Sequence, residues 1–107
     1  MVTKGPAKKL TIYIDETDRH KGIPVYEVLM DILYRNGLAG ASVFRGIAGY
    51  GRDGIFHTSK MLELSTTLPL KIEVVDTDEK IRIVLPEMEQ IVVKGLIEIS
   101  DTVVIRS

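Results

Sequence analysis

There is no cysteine in the 107 residues, which excludes disulfides, thiolate metal sites and a cysteine nucleophile and fits a reducing, cytoplasmic setting. Tryptophan is absent too, and aromatic residues make up 6% of the chain, leaving little to stack on bases. Neither sign of charge dominates: Lys+Arg is 14 and Asp+Glu is 15, for a formal net charge of -1. No broad basic field is therefore available to hold nucleic acid. No apolar run is long enough to cross a bilayer, and residues 1–9 lack the apolar core of a secretory signal. His20 and His57 are the only histidines, fewer partners than a catalytic zinc or a serine triad needs. Ser59 and Ser65 lack the G-x-S-x-G context of a hydrolase nucleophile. The acidic neighbours Asp15 and Glu16, and Asp76 and Asp78, read as solvated loop and helix-cap residues. No catalytic residue and no resident metal site is expected.

What is present is a clear alternation of periods. In residues 9–15, Leu10, Ile12 and Ile14 alternate with Thr11 and Tyr13, the pattern of a half-buried strand. A polar loop over 15–22 precedes Pro24, which suits the opening of a helix because its missing N–H loses nothing there. Val25, Val28, Leu29, Ile32 and Leu33 form that helix's apolar stripe, and Asn36-Gly37 is a left-handed stop. Residues 41–47 and 70–75 read as the second and third strands. Asp76 with Glu79 has capping-box spacing, opening a second helix with Ile81, Val84, Leu85, Met88, Ile91 and Val92 on one face. Pro86 should kink this helix and Gly95 should end it. Residues 96–99 and 103–106 are expected as strand, with Asp101 at a bend or turn. The order β-α-β-β-α-β predicts one α+β domain over 1–107 of ferredoxin-like type, an antiparallel sheet with two helices on one face. Residues 1–8 read as a flexible start. The uncovered face would carry Thr11, Tyr13, Ser42, Phe44, Lys71, Glu73 and Val75, a mixture suited either to an oligomer or to solvent.

Four of the nine glycines, Gly46, Gly49, Gly51 and Gly54, fall in one segment together with Arg45 and Arg52. Open backbone amides beside fixed positive charge suit a phosphate; equally, the glycines suit a crowded strand bend. The segment satisfies G-x-G-x-x-G, but no helix opens after it and no parallel unit follows, so a dinucleotide fold is rejected. The connection over 51–69 is far longer than a hairpin needs, which marks it as functional or disordered and, either way, as the natural switch element. Its Met61, Leu62 and Leu64 suggest packing or docking, or simply core from a short extra element.

With these elements in place the chain resembles the PII-like proteins of the nitrogen regulatory PII/CutA superfamily, in particular an uncharacterised bacterial and archaeal branch. The likeness rests on residues 45–51, His57, Leu64-Ser65, Leu68-Pro69, residues 71–76 and the terminal Val103-Val104-Ile105-Arg106. It implies a homotrimer with an adenine nucleotide in clefts between subunits and a long loop that reshapes with the ligand and touches a target protein. By the same likeness Arg45, Gly46, Gly49, Gly51 and Arg52 lie at the base of that loop near phosphates, Glu73 and Val75 beside the adenine, and Arg106 near the phosphates. The Gly/Lys-rich phosphate loop of true PII proteins is missing between the second helix and the last strand, where Lys94 is the obvious cation. AMP or ADP is therefore expected ahead of ATP, and the nitrogen-control role is not carried over. A CutA-like metal-binding trimer using His20 or His57 with Asp53 is the alternative reading; a small cleft enzyme ranks below it.

Overall fold

The computed structural model describes residues 2–58 and 67–107. Its elements are β1 (Gly5–Asp15), β2 (Arg19–His20), β3 (Ile23–Pro24), α1 (Val25–Arg35), β4 (Ala41–Arg45), β5 (Ala48–Gly49), β6 (His57–Thr58), β7 (Pro69–Asp76), α2 (Asp78–Ile91) and β8 (Leu96–Val104). The main sheet has the order β4-β7-β1-β8 with every pair antiparallel, as the ferredoxin-like order requires. Two small hairpins, β2–β3 and β5–β6, stand outside it.

The core forms where the two periods meet. Leu10, Ile12 and Ile14 of β1 and Leu70, Ile72 and Val74 of β7 turn one face of the sheet toward the helices. They pack on Val25, Leu29, Ile32 and Leu33 of α1 and Ile81, Val84 and Met88 of α2. Burial of one such side chain stabilises by about 1.5–3 kcal/mol, so these two stripes supply the main drive for folding. Pro86 is accommodated inside α2 on its exposed side, where water can reach the carbonyl that loses its partner.

Four expectations need correction. The cap of α2 is Thr77, whose Oγ1 accepts from the Lys80 N–H at 3.2 Å. Asp76 is instead the last residue of β7, opposite Lys8, and is completely buried. Neither a bend nor a turn occurs at Asp101: β8 runs unbroken, and the Asp101 carboxylate accepts from the ammonium of Lys8 directly across the ladder. Gly95 does not end α2, which closes at Ile91 with Val92 as cap; it turns the chain into β8. At the amino end the strand starts at Gly5, with residues 5–7 pairing to 102–104 of β8 alone. Met61, Leu62, Leu64 and Ser65 lie outside the described residues.

Candidate functional site

The uncovered face of the sheet has an ordered cross-strand row. Phe44 of β4, Lys71 of β7, Tyr13 of β1 and Leu96 of β8 stand opposite one another. Phe44, Tyr13 and Leu96 are 48%, 39% and 51% exposed, large for apolar groups on a sheet face. Lys71 Nζ lies 5.1 Å from the Phe44 ring centroid and 3.3 Å from Glu73. The next row is Ser42, Glu73, Thr11 and Glu98.

At the edge of this face, where β4 begins, Ala39, Gly40, Ala41 and Ser42 stand against Glu73, Val74 and Val75 around an open recess of about 310 Å³. The direction of the main chain here follows from two hydrogen bonds. Gly46 N–H donates to the Pro69 carbonyl, on the β4 side, and Glu16 N–H to the Leu68 carbonyl, on the β1 side. Successive residues of a strand alternate sides, so Glu73 and Val75 turn their main-chain groups toward β4. Glu73 faces Ser42; Val75 falls opposite Gly40, past the start of β4 at Ala41. A second open recess, of about 850 Å³, shares Ala39 and Val75 with the first and adds Lys9 and Arg106. The first recess contains no cation; the second contains two.

The glycine segment lies at the other end of β4. Four ladder steps separate Arg45, opposite Leu70, from Ala41, opposite Val74, or about 13 Å. Gly46 and Gly49 are both explained by close approach: a Cβ at either would stand 2.7 Å or 3.1 Å from Pro69 Cγ. Several amides here already have internal partners. Gly46 donates to Pro69, Gly54 to the Gly51 carbonyl, and Ile55 to Asp53 Oδ1, while Gly49 pairs with His57 in the β5–β6 ladder. Gly51 and Arg52 are exposed on the hairpin, and Lys94 is exposed on the turn before β8. Of the residues singled out from sequence, the fold thus places Glu73 and Val75 at the first recess and Val75 and Arg106 at the second, and keeps the arginine–glycine segment apart. Around that hairpin Tyr50 and Phe56 pack at a centroid distance of 4.8 Å.

Arg45 has a partner distant in sequence. Its guanidinium grips Glu16 with two bonds, Nε to Oε2 at 2.8 Å and Nη2 to Oε1 at 2.9 Å. Glu16 Oε1 also accepts from the Leu68 N–H at 3.0 Å, and Thr17 meets Thr67 through their hydroxyls. One carboxylate therefore ties the entrance of the long connection, Arg45, to its exit, Leu68. The Arg45 hydrogen bonds hold the Glu16 carboxyl below the usual glutamate range, against a smaller opposing effect of desolvation. A group depressed in this way stabilises above its unfolded value, about 4.3, and the contribution is lost as pH falls through the folded value. Glu16→Gln is accordingly expected to melt lower than the parent at pH 7, with the gap closing as pH drops below about 4. A gap that persists unchanged in acid would show that the charge on Glu16 is not what ties the stems.

His20 and His57 sit in different hairpins, β2 and β6. Among the described residues no group of three His, Asp or Glu side chains is placed to hold a metal ion, and no helix is long and apolar enough to cross a membrane.

The model of the DUF190 family, described as an uncharacterised family, matches residues 7–104. The chain belongs to the DUF190 family. It is 43% identical over 96 residues to a UPF0166 protein of Methanocaldococcus jannaschii, covering 89% of this chain and 88% of the relative. A UPF0166 protein of Aquifex aeolicus is 38% identical over 98 residues, covering 92% of each. Among solved structures it is similar to CPII, a nitrogen regulatory PII-like protein from Thiomonas intermedia K12, bound to ADP, AMP and bicarbonate. The TM-score is 0.69 at 18% identity, covering 95% of this chain and 98% of that one. The apo form of CPII gives 0.61 at 20% identity, covering 92% and 90%. The fold of this DUF190 member is therefore PII-like, in agreement with the resemblance in its sequence.

Proposed function

We propose that this protein is a non-enzymatic, PII-like signalling module that binds an adenine nucleotide, AMP or ADP ahead of ATP. The observation that carries this reading is the pair of joined recesses. One is neutral to acidic and floored by strand backbone beside Val75; the other shares Ala39 and Val75 and holds Lys9 and Arg106. A nucleotide has the same division, a flat base with hydrogen-bonding edges and an anionic tail. The base would lie against 39–42 and 73–75, and the phosphate beside Lys9 and Arg106. The ADP and AMP bound to CPII, which shares the fold, support the choice of ligand.

The working form on this reading is a homotrimer. Burying the row of Phe44, Tyr13 and Leu96 between copies would remove apolar surface from water at about 25 cal/mol per Å². Neighbouring copies would also close the two open recesses and bring further cations, Arg52 or Lys94, within reach of a phosphate. The signal is carried by the connection over 51–69, which presents a surface to a target protein in one ligand state and not in another. That needs differential affinity: the nucleotide shifts the connection only as far as it binds one arrangement better.

Calorimetric titration of the purified protein with AMP, ADP and ATP, with native mass measurement, tests the reading. Saturable binding of one nucleotide per chain to a species of three chains is expected. Arg106→Ala should weaken AMP about tenfold, as for the loss of one charge-assisted hydrogen bond of about 1.5 kcal/mol. Absence of any heat at millimolar nucleotide, with the oligomer intact, would end the proposal.

A further inference from the structure

Asp76 is the one acidic residue among the described residues that is completely buried, and its position explains why. It directly follows Val75, the floor of both recesses, and its side chain points to the helix side, in phase with Leu70, Ile72 and Val74. There Oδ2 accepts from the Ala39 N–H at 2.8 Å and Oδ1 from the Thr77 N–H at 2.7 Å. Ala39 belongs to the turn between α1 and β4, and it is the wall residue that the two recesses share. A single carboxylate thus joins the end of β7, where the chain passes into the cap of α2 at Thr77, to the wall opposite Val75. The same turn receives a second, weaker tie, from Lys80 Nζ to the Gly37 carbonyl at 3.3 Å.

We infer that Asp76 is a positioning residue for the ligand, setting the gap between the Ala39–Gly40 wall and the Val75 floor from behind, without touching the nucleotide. The inference rests on the nucleotide reading above and adds to it a residue outside the recess. The backbone alone does not hold this gap, because β4 pairs with β7 only from Ala41 onward. A carboxylate suits the role better than an amide. It accepts through both oxygens, whereas asparagine must turn its NH₂ toward one of the two N–H donors and leave that donor unpaired. Opposite Asp76 on β1 is Lys8, whose ammonium is engaged with Asp101 across the other ladder.

The test compares AMP affinity and melting temperature in the parent, Asp76→Asn and Val84→Ala. Val84 lies buried on α2 in the core and away from both recesses, so its truncation loosens the fold without touching the wall. Asp76→Asn should lose at least tenfold in AMP affinity, while Val84→Ala, though melting lower, should stay within about twofold. A second measurement needs no variant. In the parent, saturating AMP should slow hydrogen exchange at the Ala39 amide, because ligand and wall order are linked. If AMP binds the parent and Asp76→Asn retains its affinity, or Ala39 exchange is indifferent to AMP, the positioning role is overturned while the nucleotide reading stands. A parent that binds no nucleotide overturns both.

Discussion

Gly40→Val should abolish useful nucleotide binding, with a loss on the order of a hundredfold in AMP affinity, and leave the fold intact. Gly40 lines the recess at the point where β4 begins, and a Cβ built there meets nothing within 4 Å. Its backbone is not in the left-handed region, so a side chain is tolerated without strain. The two methyl groups of valine would then occupy space that the proposed base requires. Forcing added methylenes against a packed partner typically costs 1–3 kcal/mol, and 3 kcal/mol is somewhat more than a hundredfold. The free protein has no such partner at this place. Its stability should therefore change by no more than about 0.5 kcal/mol, or roughly 2–4 °C in melting temperature. Gly51→Val supplies the contrast, because Gly51 also has open space around it but lies on the arginine–glycine hairpin. If Gly51→Val removes binding and Gly40→Val does not, the ligand sits at the hairpin, where the amide-rich segment first pointed.

The contrast between those two glycines marks what the sequence reveals about the site. Gly46, Gly49, Gly51 and Gly54 attract notice because they cluster beside two arginines. In the fold, Gly46 and Gly49 are small because Pro69 is close, and Arg45 is held by Glu16. Neither partner is near in sequence: Glu16 and Arg45 stand 29 positions apart, and only the register of β4 on β7 brings Pro69 under Gly46. The recess wall is silent in the sequence for the opposite reason. Ala39, Gly40, Ala41 and Ser42 are small and carry no titratable group, so they have no signal of their own. Lys9 reads as a strand end in the sequence and becomes a recess residue only when β8 is laid beside β1. Glu73, Val75 and Arg106, by contrast, stand out through family likeness rather than through any local pattern.

The fold was legible further, because burial on one face imposes a period that single residues cannot hide. Both helix stripes and the inward triplets of β1 and β7 read directly from alternation. The misreadings fall where local chemistry competes with tertiary pairing. Asp101 looks like a break, yet Lys8 lies opposite it and neutralises it within a continuous β8. Asp76 resembles a helix cap one residue early, because a buried acid that ties a distant turn has the same letter as a cap. Thr77 takes the cap once Asp76 is engaged with Ala39.

Gly95→Ala should cause the largest loss of stability of any single-methyl addition considered, about 3 kcal/mol or more. Two separate effects act at this position. The backbone has φ +136, outside what a side chain readily adopts, and the added Cβ would stand 2.3 Å from the Tyr13 carbonyl oxygen. That oxygen belongs to β1 at the point where Tyr13 pairs with Leu96, the first residue of β8. Backbone in the way cannot rotate aside as a side chain can, so either β8 starts later or β1 shifts. Strain of about 1–3 kcal/mol and overpacking of about 1–3 kcal/mol add to the figure given, equivalent to a fall of roughly 12–24 °C in melting temperature. Gly22→Ala separates the two effects. Gly22 has φ +82 in the tight β2–β3 turn but nothing within 4 Å of a Cβ, so it should show the strain alone, about 1 kcal/mol. Equal losses at Gly22 and Gly95 would mean that the Tyr13 carbonyl yields easily and that the start of β8 is not a fixed point of the sheet. The register of β8 is also held further along by the Lys8–Asp101 pair, and Arg106 lies beyond the opposite end of the strand. A local slip at Gly95 should therefore leave AMP affinity within about twofold below the lowered melting temperature, so that this variant weakens the fold while sparing the proposed site.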